Sequence, residues 1–186
     1  MRPEEMVIAG GITEIVGDPS SGRMTLLVAC VREVTRRGAL AALVDTDHVF
    51  DPIGAARAGV DLSRVLWVRC GHRSDRALRA ADLLIRCPGF ALVGLDTGDV
   101  TPRLSLTMVY RLKLTIRKTD AALVVVSRQR ITASGAALAL ETSRRTLQWA
   151  GPGPVPTRLD RISTAVRVVR ARDFRPGAVH LTWWNA

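Results

Sequence analysis

Between positions 17 and 24 the chain reads Gly-Asp-Pro-Ser-Ser-Gly-Arg-Met. The two glycines have the spacing of the phosphate-binding pattern G-x-x-x-x-G-K-[ST], and the segment lies between an apolar run and a helical one, as that pattern requires. In such a loop successive backbone N–H groups and the helix N-terminus surround the phosphates, the lysine reaches the β and γ phosphates, and the hydroxyl holds magnesium. Here Gly17, Asp18, Pro19, Ser20, Ser21 and Gly22 keep the frame, while Arg23 replaces the lysine and Met24 the hydroxyl residue. Arginine keeps the charge but carries a wider, planar head. Methionine offers no oxygen to a hard cation, and Thr25 comes one position too late. The chemistry expected of this loop is weak binding of ATP, ADP or phosphate through its amides. No resident cofactor, metal or catalytic residue is expected.

Other residue types were weighed for chemistry. Asp45 and Asp47 lie two positions apart and so on one side of a strand. Either both serve a metal, or Asp47 alone reaches the loop while Asp45 makes local contacts. His48, His72 and His180 lack the spacing of metal ligands and are expected to be structural, and Ser20, Ser21 and Ser127 lack a His/Asp constellation, so a hydrolase triad is not supported. Cys30, Cys70 and Cys87 are odd in number and form no C-x-x-C, which excludes a disulfide framework and a zinc knuckle. Of the adjacent Trp183 and Trp184, which a strand would point to opposite faces, one is expected in the core and the other at a partner surface.

The elements that must position these groups alternate along the first two thirds of the chain. Strands are expected at Ile12–Val16, Leu40–Asp45, Val65–Val68, Phe90–Asp96 and Ala121–Ser127, each a short apolar run of the kind that forms buried parallel strands. Helices are expected at Met24–Arg37, Pro52–Ala58, Ser74–Arg86 and Leu104–Lys118. Gly38 follows the first of these at the position of a C-terminal glycine cap. After Ser127 the pattern changes to strands alone, at Thr146–Trp149, Ile162–Ala171 and Val179–Trp184, with Gly151–Pro156 as a loop and Arg175–Ala178 as a turn. The expected fold is α/β: a mostly parallel central sheet flanked by helices and extended by antiparallel C-terminal strands, all in one domain over residues 1–186.

A chain of 186 residues with 47% hydrophobic and 24% charged side chains is globular in composition. Its longest apolar runs fall far short of a membrane span, and residues 1–6 do not resemble a signal peptide, so a cytoplasmic location without membrane contact is expected. The net charge is +10. Residues 1–100 carry 12 arginines against 13 carboxylates, whereas residues 101–186 carry 13 arginines and 2 lysines against 4 carboxylates. The excess in the second half points to a polyanion or an acidic protein partner, or else to a solvated basic face.

Several segments resemble the ATPase core of the bacterial recombinase RecA in order and spacing, from about Gly11 to Arg130 and more weakly through Ala165–Trp184. They are Gly11-Ile-Thr-Glu-Ile-Val-Gly17, Leu43-Val-Asp-Thr-Asp-His48 followed by Asp51-Pro-Ile, Gly59-Val-Asp-Leu62 and Val93-Gly-Leu-Asp-Thr97. The resemblance implies a P-loop NTPase core in which Asp47 stands for the catalytic glutamate and Asp96 for the second carboxylate near magnesium. It further places Asp51 near an adenine and Gly54 where a stacking tyrosine would be. Arg128 stands where a nucleotide-sensing glutamine is expected, with Gln129 out of register, and Arg130 keeps an arginine after the fifth strand. Arg170 and Arg172 match two lysines that reach a neighbour's nucleotide in recombinase filaments. With lysine, hydroxyl, glutamate, tyrosine and glutamine all replaced, ATP hydrolysis is not expected.

The N-terminal oligomerisation segment is expected to be missing and both DNA-binding loops shortened, the first around Arg103 and the second to Ile131–Leu140. A short, degenerate core of this kind resembles the ImuA-type accessory proteins of the bacterial mutasome. That resemblance implies support of DNA-damage-induced (SOS) translesion synthesis, through contacts with an ImuB-like polymerase-related protein, an error-prone polymerase and the recombinase itself. The alternatives are a DNA-stimulated ATPase and a weak nucleic-acid-binding module. Candidate DNA or partner contacts are Arg111, Lys113, Arg117, Lys118, Arg128, Arg130, Arg170 and Arg172.

Overall fold

A computed structural model describes residues 2–99, 104–155, 157–172 and 178–184. Eight strands form one sheet: β1 (Ile12–Gly17), β2 (Leu40–Asp45), β3 (Val65–Arg69), β4 (Phe90–Asp96), β5 (Ala122–Ser127), β6 (Leu138–Ala150), β7 (Arg158–Ala171) and β8 (Ala178–Trp184). Their spatial order is β3-β2-β4-β5-β1-β6-β7-β8. The first six are parallel throughout, while β6–β7 and β7–β8 are antiparallel. The expected architecture is therefore the one observed. The turn expected at Arg175–Ala178 and the loop around Arg103 lie outside the described residues, apart from Ala178 itself.

Five helices complete the fold: α1 (Pro3–Met6), α2 (Arg23–Arg36), α3 (Pro52–Arg57), α4 (Ser74–Arg86) and α5 (Leu106–Ile116), with a 3-10 turn at Leu62–Arg64. The central strands are apolar on both faces because helices cover both. On one side α2 packs Leu26, Leu27, Cys30, Val31 and Val34 against Ile15, Leu43, Leu92 and Val124. On the other, Ala77, Ala81 and Ile85 of α4 and Leu112 and Ile116 of α5 meet Ala42, Val93, Leu123 and Val125. Burial pushes the Cys30 thiol up to about 12, so this cysteine is a core side chain and not a nucleophile. Gly38 follows α2 with φ +79°, and the Ala39 N–H returns to Val34 O, as the expected glycine cap requires.

Two strands are longer than their apolar pattern indicated. β6 starts at Leu138, pairing in parallel with β1 before it turns outward, and β7 starts at Arg158. The strand expected at Thr146–Trp149 is the outer, exposed part of β6. Pairing with β7 from Leu138 to Ala150 carries the strand back to Leu138, beyond what its side chains mark.

Candidate functional site: a phosphate loop with its arginine committed

All the parallel strands end at one edge of the sheet, where open α/β folds place their ligand sites. There β1 runs out at Gly17 and α2 begins at Arg23, with Gly22 as N-cap at φ +93°. Asp18, Pro19 and Ser20 are exposed, and Ser21 is buried. The Thr142 hydroxyl of β6 donates to Val16 O at 3.0 Å, which leaves its oxygen to accept from Ser21 Oγ at 2.7 Å. A side chain at Gly17 would collide with Thr142, and one at Gly22 with Thr164 of β7. The loop is thus shaped from outside by two threonines that its own sequence does not contain.

Arg23 does not project freely. Its side chain is nine-tenths buried and bridges two points, donating from Nη1 to Gly17 O at 3.0 Å and from Nη2 to Asp99 Oδ1 at 2.8 Å. Its counter-ion is neither Asp96 nor Asp47 but Asp99, three residues beyond the end of β4. Its geometry follows from Gly98, whose φ is +76° and whose missing side chain makes room for the Asp47 carboxylate. Asp47 Oδ2 accepts the Asp99 N–H at 2.8 Å, and its Oδ1 lies 3.2 Å from His72 Nδ1. His72 in turn stacks on His48 at 5.3 Å. Met24 is half-buried and packs on the core, and Thr25 is exposed.

The remaining carboxylates divide clearly. Asp45 is fully buried and accepts from the Val49 and Phe50 N–H groups and from Trp67 Nε1, each at 3.1 Å. It makes the local contacts that one of the two readings of the Asp45/Asp47 pair foresaw. Asp96 is also buried, yet neither carboxyl oxygen has a hydrogen-bond partner among the described residues. Burial pushes its pKa up to about 6; the Gly98 amide and the Arg23 guanidinium, outside hydrogen-bonding geometry, pull it partly back, while Asp45 and Asp47 push it further up.

The arginines expected at DNA or a partner do not form one group. Arg128, at the tip of β5, lies 3.6 Å from Asp18 and so flanks the loop. Arg130 turns the other way: its Nε reaches the fully buried Glu14 at 3.3 Å and its Nη2 donates to Ala133 O. A buried carboxylate thus orients this arginine, whose side chain remains exposed. Arg170 and Arg172 lie at the opposite edge of the sheet, six and eight residues along from Thr164, roughly 20 Å or more from the loop. They cannot serve the nucleotide loop of their own chain. Arg111, Arg117 and Lys118 are exposed on α5 and the turn after it, and Lys113 is half-buried.

A family model described as the RecA N-terminal domain matches residues 6–130. The chain belongs to the RecA family. It is 37% identical over 98 residues to protein RecA of Borreliella afzelii (strain PKo), covering 52% of this chain and 27% of that one. To protein RecA of Prochlorococcus marinus (strain MIT 9211) it is 41% identical over 95 residues, covering 50% and 26%. To protein RecA of Synechococcus sp. (strain WH7803) it is 39% identical over 95 residues, covering 50% and 25%. The matched stretch spans about a quarter of the length of these curated relatives.

The magnesium nucleotide that a RecA-family loop implies does not fit the residues present. Met24 supplies no oxygen, the Asp45 and Asp47 oxygens are engaged, and Arg23 is held by Gly17 and Asp99. Of Asp45, Asp47 and Asp96, Asp96 alone has both oxygens without a partner, and no group of three or more metal-ligating side chains forms among the described residues. Reading the sequence missed Asp99, Thr142, Thr164 and Glu14. Of these only Glu14 left a signal, being a carboxylate inside the apolar run Ile12–Val16, where burial demands a partner.

Proposed function

We propose that the protein is a non-catalytic RecA-family scaffold of the ImuA type. It would support SOS-induced translesion synthesis in the cytoplasm through contacts with an ImuB-like protein and an error-prone polymerase. The observation that carries the non-catalytic part is the double commitment of Arg23 beside Met24. Phosphoryl transfer is accelerated by charge placed on the transferring group, and here the side chain at the lysine position is spent on the protein's own carbonyl and carboxylate. The alternative of a DNA-stimulated ATPase draws on Asp96, whose oxygens remain unpartnered. A weak nucleic-acid-binding role draws on the exposed Arg111, Arg117 and Lys118.

Steady-state ATP turnover, measured with and without single-stranded DNA, tests the reading. No turnover above background is expected, and the Arg23→Lys/Met24→Thr double variant should gain magnesium-dependent binding of a fluorescent ATP analogue by tenfold or more. Robust wild-type turnover that disappears in Asp96→Ala would overturn the non-catalytic assignment. Co-elution with a purified ImuB-like protein tests the ImuA placement separately.

A further inference from the structure

α5 carries a row of apolar side chains that the fold does not use. Leu106 and Tyr110, one turn apart, are 76% and 62% exposed, although Val109, Leu112 and Ile116 on the same helix are buried. Beside them lies a recess of about 400 Å³, walled on one side by Leu106, Val109 and Tyr110 and on the other by the segment 132–135. Lys113 and Gly135 also line a second, much smaller recess of about 20 Å³, where Lys113 is joined by Arg117 and Arg172. Among the described residues no carboxylate lines either recess. One end of the groove is therefore apolar and the other tricationic.

The second wall is fixed in advance. Glu14 Oε1 accepts the N–H groups of Ile131 and Thr132 at 2.6 and 2.9 Å, and Oε2 accepts from Thr132 Oγ1 at 2.8 Å. Gly135 then closes the turn, its N–H donating to Thr132 O at 2.7 Å, and it approaches Val109 so closely that a Cβ would lie 2.6 Å from Cγ1. A buried carboxylate thus holds a surface segment against α5, and a groove that is already shaped binds without the cost of ordering its walls.

We propose that this groove docks an acidic, apolar-anchored peptide segment of a protein partner. An aliphatic or aromatic side chain would enter beside Tyr110, and a carboxylate one or two turns along would meet Lys113, Arg117 and Arg172. The small recess admits one water-sized group, which suits a carboxylate oxygen. Single-stranded nucleic acid fits less well, because it needs successive stacking platforms. Tyr110 is the chain's one tyrosine, and among the described residues no other aromatic side chain lines the groove. The proposal takes its biological sense from the scaffold reading but not its chemistry, so ATP turnover can fail that reading while peptide binding stands, and the reverse.

Selection of 12-residue peptides from a random displayed library against the full chain tests it, with affinities measured by fluorescence anisotropy at physiological salt. Enriched peptides should pair Asp or Glu with a large apolar residue. They should lose tenfold or more on Tyr110→Ala and on Lys113→Glu, and keep their affinity on Arg57→Glu, a charge reversal on α3. Thermal melts of the same variants establish that each remains folded. Failure to enrich any peptide, enrichment of basic peptides, or equal binding to Tyr110→Ala overturns the proposal. So does tighter binding of a 12-nucleotide oligo(dT), lost in Lys113→Glu, which would assign the groove to nucleic acid.

Discussion

Asp96 sits in an environment that favours its proton. Its ordinary pKa is 3.8 and burial lifts it to about 6, so the folded state binds this proton more tightly than the unfolded chain does. The resulting penalty on folding is absent below about pH 4, grows between pH 4 and 6, and is complete above that. Two units correspond to roughly 3 kcal/mol at most. Asp96→Asn should therefore raise the melting temperature by several degrees at pH 7.5, with the gap to wild type closing as the pH falls to 4. A gap that does not vary with pH would show that the carboxylate finds a partner in solution. At this level the sequence was informative about identity and silent about contact. Arg23 and Met24 are legible as departures from a pattern, but Asp99 becomes the counter-ion only because Gly98 folds the chain back over Asp47.

The segment between β5 and β6 shows how one buried side chain can organise an element. Glu14 satisfies two buried N–H groups and a hydroxyl there and also receives Arg130. Glu14→Ala would orphan both amides, at about 1–3 kcal/mol each, and should destabilise the protein by about 3 kcal/mol or more in urea titrations. Glu14→Gln, which keeps an acceptor for the two amides, should cost about 1 kcal/mol. A loss below 0.5 kcal/mol (roughly the scatter of surface substitutions) for the alanine variant would contradict this account. The regular elements were legible wherever burial wrote a pattern. β2, β4 and α4 begin and end where their apolar runs do. α5 starts at Leu106 and not at Leu104 because Ser105 caps it, accepting from the Met108 N–H at 3.2 Å. In β6 only the outer stretch Thr146–Trp149 was legible; Leu138–Arg145 was not, because it is held by main-chain pairing with β1 and β7, which leaves no trace in side-chain type.

Charge is distributed over the molecule by half, yet the structure divides it by partner. Arg128 pairs with Asp18 at the surface, Arg130 reaches the buried Glu14, and Arg111 lies 3.7 Å from Asp82. What remains outward forms a basic face centred on α5. Binding of a 30-nucleotide oligo(dT) is expected to be weak, independent of sequence and lost as salt rises, because contacts of this kind release counterions. Arg117→Glu with Lys118→Glu should flatten the dependence of log K on log salt by about 1.4, the share of two phosphate contacts on a single strand. If affinity and slope are both unchanged, the excess charge serves solvation alone.

The brace that Thr142 and Thr164 place against the phosphate loop bears on what a recognisable motif records. Gly17 and Gly22, the two residues by which the loop is noticed at all, have no room for a side chain, and Gly22 also holds a left-handed backbone. Packing from β6 and β7 excludes a side chain at both glycines, whether or not a phosphate is ever bound. Arg23 and Met24 face no such demand from these threonines. Selection for folding alone would thus keep the glycines while the lysine and hydroxyl drift, and the outline of a nucleotide site would outlast its use.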